Sequence, residues 1–160
     1  MKHYVLERSQ IINQSRTETF AFFGDAFNLG QITPPFLRFR ILTPRPIRMQ
    51  KGGLIDYQLS LFGLPFRWRT RIEDWSPDER FVDRQIKGPY LLWHHTHTFE
   101  AIGPHQTLMK DRVEYRLPLG ILGNIAHALW VRRTLNYIFN YRAEMTAKLL
   151  NESQQRGVAA

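Results

Sequence analysis

Cysteine is absent from the 160 residues, which excludes a disulfide framework and any thiolate-ligated metal. Long apolar runs are missing as well. The most apolar stretch, Leu117 to Val131, holds about 15 residues where a membrane-spanning helix needs about 20. Gly120, Gly123, Asn124 and His127 interrupt it, so no transmembrane segment is expected. Met1-Lys2-His3 leads straight into an alternating segment without the apolar core of a signal peptide, and the expected location is cytoplasmic. There is no phosphate-binding loop, no dinucleotide-binding glycine motif and no nucleophile elbow. Acidic side chains are scarce: 14 Asp and Glu stand against 22 Lys and Arg, giving a net charge of +8 and a pI near 10.2. Such a balance attracts anions over long range but does not define a site.

Bulky aromatic groups are plentiful. Eleven Phe, six Tyr and four Trp make up 13% of the chain, enough either to fill one core with rings or to line a cavity with some of them. The length suits one domain with one sizeable core, expected over residues 1–152, with a flexible tail at 153–160.

Tyr4 to Ile12 reads as a strand. Ser15 and Glu18 then form a capping-box pattern, which starts a short helix closed by Gly24. Asp25 to Gln31 reads as a second short helical turn, stopped by Pro34-Pro35. From Phe36 to Pro118 the pattern has period two, the strand signal. Leu37, Phe39 and Ile41 alternate with arginines. Ile55, Tyr57, Leu59 and Leu61 alternate with polar residues, as do Phe66, Trp68, Thr70 and Ile72, and then Met109, Asp111, Val113, Tyr115 and Leu117. Gly52-Gly53, Gly63-Leu64-Pro65, Ser76-Pro77-Asp78, Gly88-Pro89 and Gly103-Pro104 mark the turns. After Leu119 the period is helical. Ile125, Leu129, Leu135, Ile138, Phe139, Arg142, Met145 and Leu149 fall near one stripe of a helix expected from about Leu122 to Glu152. A sheet with one apolar face must cover that face, and the C-terminal helix is the one element long enough. The fold class is therefore α+β: a curved antiparallel sheet of about seven strands wrapped around a long C-terminal helix, with two short helices after the first strand.

Phe20-Ala21-Phe22-Phe23-Gly24-Asp25-Ala26-Phe27-Asn28-Leu29 resembles the "F-x-F-F-x-D-x-x-N-L" segment near the start of many START-like domains. Gly88-Pro89-Tyr90 with Trp93, His95, His97 and Phe99 resembles a "G-P-Y/F…W-x-H-x-H-x-F" strand of one bacterial subgroup, and Asp111, Val113, Tyr115, Pro118 and Gly120 match the "D-x-V-x-Y-x-x-P-x-G" that follows it. On these segments the chain resembles the START-like, or SRPBCC, superfamily. That superfamily includes the pollen-allergen family, lipid-transfer START domains and aromatic polyketide cyclases. The resemblance covers nearly the whole chain and implies the helix-grip fold. It does not choose among the binders, cyclases, hydrolases and carriers that share that fold.

Polar residues in phase with the apolar ones face inward with them. The expected concave face thus carries Asp83, Gln85, His95, His97 and Asp111 among Tyr57, Trp68, Trp93, Phe99 and Tyr115, with Arg142 on the inward stripe of the helix. Buried polar groups need partners, and four readings stay open. The groups can form an internal network that fixes sheet register, or a polar floor that orients a ligand. His95, His97 and Asp111 can act as acid and base. His95-x-His97 with Asp83 or Asp111 can also ligate a metal, although no other stretch has metal-ligand spacing, and neither metal nor cofactor is expected. Arg142 either snorkels to the rim or pairs with an anionic ligand or with Asp111.

The expected function is binding of a small hydrophobic molecule (lipid, isoprenoid or aromatic, polyketide-like) between sheet and helix. The alternative is a cyclase or dehydratase using a His–Asp pair in the same cavity. Arg67, Arg69 and Arg71 share the outer sheet face with Lys110, Arg112 and Arg116, a face either merely solvated or docking to an acidic protein or anionic membrane surface. Nucleic acid is not expected there, because the aromatic rings of these strands alternate onto the opposite face.

Overall fold

Alternation builds the sheet. In β7 (Gln106–Arg116) Thr107, Met109, Asp111, Val113 and Tyr115 are buried, while Lys110 and Arg112 are exposed. A strand of this pattern can bury only one side. The computed structural model describes residues 2–61 and 63–158, with side chains as far as Leu150. The other strands are β1 (Tyr4–Ile12), β2 (Arg40–Ile41), β3 (Leu54–Leu61), β4 (Leu64–Ser76), β5 (Arg80–Lys87) and β6 (Leu92–Gly103). They form one seven-stranded antiparallel sheet in the order β1-β7-β6-β5-β4-β3-β2. Its apolar face closes on a long C-terminal helix made of α2 (Gly120–Ala126), a π-helical turn (His127–Val131) and α3 (Arg132–Val158). Val131, Leu135 and Phe139 of the helix pack with Leu6, Trp68 and Trp93 of the sheet. Each large side chain so withdrawn from water contributes on the order of 1.5–3 kcal/mol. No helix among the described residues is long and apolar enough to cross a membrane.

The first short helix, α1 (Arg16–Gly24), begins in the expected capping box. The Glu18 amide donates to Ser15 Oγ at 3.3 Å and the Ser15 amide donates to Glu18 Oε2 at 3.2 Å. Gly24 is its last residue, and a Cβ there would sit 3.1 Å from the Trp75 ring. A 3-10 turn (Ala26–Gly30) follows, capped by the Asp25 side chain. Phe20 then seals one end of the interior against Trp75, Phe81 and Phe99.

Four details depart from the sequence reading. Phe36 to Ile41 is not a full strand: Pro35 opens a 3-10 turn and Arg38 takes a left-handed backbone (φ 45°), leaving only Arg40 and Ile41 extended. Trp75, next to the last residue of β4, is also partly buried against the core. The β4–β5 register slips between Ile72 and Asp74, and this bulge turns Trp75 inward against Phe81. Ile125 and Leu129 are 50% and 69% exposed, because the π-helical turn adds one residue to the winding and shifts the phase; Gly123, His127 and Val131 are buried instead. The helix also starts earlier, at Gly120, and runs past Glu152 to Val158. Gly123 permits that start, as its Cβ would meet the Pro118 carbonyl at 2.1 Å. Ala159 and Ala160, the end of the expected tail, lie outside the described residues.

On the outer face carboxylates interlace the arginines. Arg69 makes a two-pronged contact with Asp56 at 2.7 and 2.8 Å, Arg71 and Arg84 share Glu73, and Arg112 bridges Glu7 and Glu114. This pairing gives the expected acidic protein or membrane partner no support.

Candidate functional site

Register brings the polar residues of the concave face together. β6 lies between β5 and β7, with Asp83 directly opposite His95 and Asp111 directly opposite His97. The four side chains close a ring in which acid and imidazole alternate. His95 Nε2 lies 2.9 Å from Asp111 Oδ1 and its Nδ1 lies 3.5 Å from Asp83 Oδ2. His97 Nε2 lies 3.2 Å from the same Asp83 oxygen, and its Nδ1 lies 2.8 Å from Asp111 Oδ1. That last contact is close but poorly aimed, so it is an electrostatic contact and not a directed hydrogen bond. Both imidazoles and Asp111 are buried, and Asp83 is partly so. Phe81 stacks on His97 with ring centroids 4.1 Å apart.

Burial alone would push both carboxyls up, yet both are held below the usual range. The bond from His97 and the nearby charges of His95, His97 and Arg142 do this for Asp83; both histidines do it for Asp111. His97 is raised, its burial outweighed by Asp111 and Asp83. His95 is lowered, by burial first and then by the charge on His97. The two histidines titrate as a coupled pair, each shifting the other's proton affinity.

Between sheet and helix lies a cavity of about 280 Å³. This is near the lower end of the roughly 300–1,000 Å³ usual for ligand pockets. Tyr57, Trp68, Asp83, Trp93, His95, His97 and Arg142 line it, seven of the residues expected on the concave face. The other four do not. Gln85 is spent on the turn that follows its strand, donating to the Tyr90 carbonyl at 2.6 Å and accepting from the Tyr90 amide. Phe99 is packed into the aromatic end of the core with Phe20 and Phe81. Asp111 stands behind the histidines, beside a smaller void. Tyr115 turns to the helix, where its hydroxyl is 2.8 Å from His127 Nε2.

Several lining residues escaped the sequence reading. Thr70 is in phase with Trp68 and was legible. Its hydroxyl accepts from Trp68 Nε1 at 3.0 Å and lies 3.0 Å from the Tyr57 hydroxyl. Tyr90 and Trp130 had no periodic signal, since one sits in a turn and the other in the π-helical turn. Phe139 was read only as part of a helix stripe, yet it meets the His95 ring at 5.6 Å. Arg142 does not snorkel free: its guanidinium lies 5.0 Å from the Phe139 ring, and its Nε is buried without a hydrogen-bond partner. Of the described residues that could hold a metal, Asp83, His95 and His97 offer one ligand atom each, all within 4.8 Å of one another.

Neither the protein-family models nor the curated proteins give a match to this sequence. Solved structures do. A START superfamily protein from Mycobacterium smegmatis superposes with a TM-score of 0.70 at 12% identity, over 94% of this chain and 99% of that one. The di-domain ARO/CYC StfQ of the steffimycin biosynthetic pathway gives 0.72 at 14% identity, over 96% of this chain and 52% of that one. A point mutant of Thalictrum norcoclaurine synthase, in complex with a transition-state analogue, gives 0.68 at 15% identity, over 96% of this chain and 97% of that one. Sheet order, long helix and these superpositions agree that the chain has the START-like helix-grip fold.

Proposed function

We propose that the cavity binds one small, largely apolar molecule, of lipid, isoprenoid or aromatic polyketide-like character, with its polar end at Asp83, His95 and His97. One observation carries this reading: an aromatic-walled space of about 280 Å³ has Asp83, His95 and His97 gathered on one part of its wall. Apolar walls supply affinity, and a few convergent polar groups fix orientation. Titration with the apolar fluorophore phenylnaphthylamine tests it. Saturable binding is expected in the wild type. Ile138 lines the cavity, so Ile138→Trp should fill the space and abolish binding while the protein still melts cooperatively. Absence of saturable binding in the wild type would remove the reading.

A second reading is favoured by the same geometry, because the imidazoles that face the cavity are each backed by a carboxylate. In a cyclase-type enzyme the walls would fold a reactive chain and the His–Asp pairs would move its protons. The fold neighbours include an ARO/CYC protein and a synthase, in keeping with such use. Turnover lost in His97→Asn with an unchanged melting temperature would support it; equal turnover in the variant would exclude it.

A further inference from the structure

The acid–imidazole ring has an asymmetry that its charges alone do not explain. Asp111 Oδ1 touches one nitrogen of each histidine, His95 Nε2 and His97 Nδ1. A carboxylate in that place favours an N–H on each of those atoms, through a directed hydrogen bond at His95 Nε2 and through charge alone at His97 Nδ1. With both rings neutral, the remaining lone pairs, on His95 Nδ1 and His97 Nε2, then face a single oxygen, Asp83 Oδ2, at 3.5 and 3.2 Å. Three electron-pair donors converging without a cation between them repel one another.

The spacing suits a coordination shell. Bonds of about 2.0–2.1 Å arranged tetrahedrally place neighbouring ligand atoms about 3.3 Å apart; Asp83 Oδ2 lies 3.5 and 3.2 Å from the two nitrogens, and all three ligand atoms fall within 4.8 Å of one another. We propose that Asp83, His95 and His97 form a three-ligand site for a divalent first-row transition ion, with Asp111 as the carboxylate behind both imidazoles. Histidine ligands commonly give their second N–H to a carboxylate that fixes tautomer and orientation. Here Asp111 does this for His95 and stands as a close countercharge to His97. The set of two nitrogens and one oxygen suits zinc or iron(II).

The site opens toward the cavity, since the three ligand residues line it and Asp111 does not. Open coordination positions would therefore meet an oxygen of whatever molecule occupies that space. The charges also close: the carboxylates of Asp83 and Asp111 balance a divalent ion, and Arg142, whose Nε is buried without a hydrogen-bond partner, leaves room for one anionic oxygen. This assignment goes beyond the ligand-binding reading and departs from the metal-free site expected from the sequence.

Chelator-stripped protein titrated with Co²⁺, followed by visible absorption and thermal melting, tests it. The wild type should develop a saturable d–d band at one ion per chain and melt at higher temperature, and Zn²⁺ should compete the band away. Asp83→Asn and His97→Gln should each weaken binding by at least about 100-fold, and Asp111→Asn by about 10- to 100-fold as a second-layer residue. A wild type that gives no band and no rise in melting temperature overturns the proposal without recourse to any variant. So does binding that persists unchanged in Asp83→Asn. Phenylnaphthylamine binding measured on the metal-free protein separates this failure from failure of the cavity reading.

Discussion

Two buried clusters containing histidine interrupt the aromatic interior. Asp83, His95, His97 and Asp111 join three neighbouring strands, while Tyr4, Tyr115, Asn124 and His127 join the sheet to the start of the long helix. In the first, every imidazole nitrogen faces a carboxylate. In the second, His127 stacks on Tyr4 with centroids 3.5 Å apart and shares a hydrogen bond with the Tyr115 hydroxyl. Burial pushes His127 down, with Arg132 and Lys2 adding to the effect, and pushes Tyr115 up to about 12. Burial and nearby cations thus hold one histidine down, whereas carboxylates outweigh burial and hold His97 up. A buried histidine takes its chemistry from what it touches, and the depth at which it sits does not settle the matter.

The comparison breaks most readily at Asp111. Asp111→Ala removes one partner from each buried imidazole and leaves Asp83 facing both, so urea unfolding should show a loss of about 3–5 kcal/mol. A loss below about 1 kcal/mol would mean that the ring is not charged. Tyr115→Phe acts on the neutral cluster and should cost about 1–2 kcal/mol by the same measurement, since it deletes one hydrogen bond and no charge.

Titration sharpens the contrast. His127 is lowered, so the unfolded chain takes up a proton near 6.5 that the folded chain refuses. Its contribution is intact above that pH and is lost as pH falls below it. His97 is raised, so its contribution is present below 6.5 and is lost as pH rises through its folded value. Asp83 and Asp111 are lowered, and their contribution is present above about 3.8 and lost as pH falls below that value. Ring-proton NMR of the metal-free protein should find His97 and His127 titrating on opposite sides of 6.5; the same side for both would undo the distinction. The smallest effect belongs to the surface. Arg69 and Asp56 are 46% and 37% exposed, and Arg69→Ala should cost no more than about 1 kcal/mol despite good geometry.

Much of the sheet was legible because alternation is local. Ile55 to Leu61 and Met109 to Tyr115 carry their facing in the sequence itself, and the same phase argument put Asp83, His95, His97 and Asp111 on the concave side. Which acid would meet which imidazole was not legible, because cross-strand register depends on turn lengths and on the bulge between Ile72 and Asp74. That bulge hid Trp75, and the left-handed backbone at Arg38 hid the end of the second short strand. Gln85 was in phase with Asp83 but lay within reach of the Tyr90 backbone, a local claim that periodicity does not weigh.

The π-helical turn at His127–Val131 works as a slipped tooth in a gear. Successive residues of an α-helix are offset by about 100°, and a π-helical turn absorbs one residue beyond that winding. Deleting one residue within the turn would therefore restore regular winding while keeping His127 on Tyr115, Asn124 on Tyr4, and Leu135 and Phe139 seated. The turn can be altered in this way without touching the acid–imidazole ring.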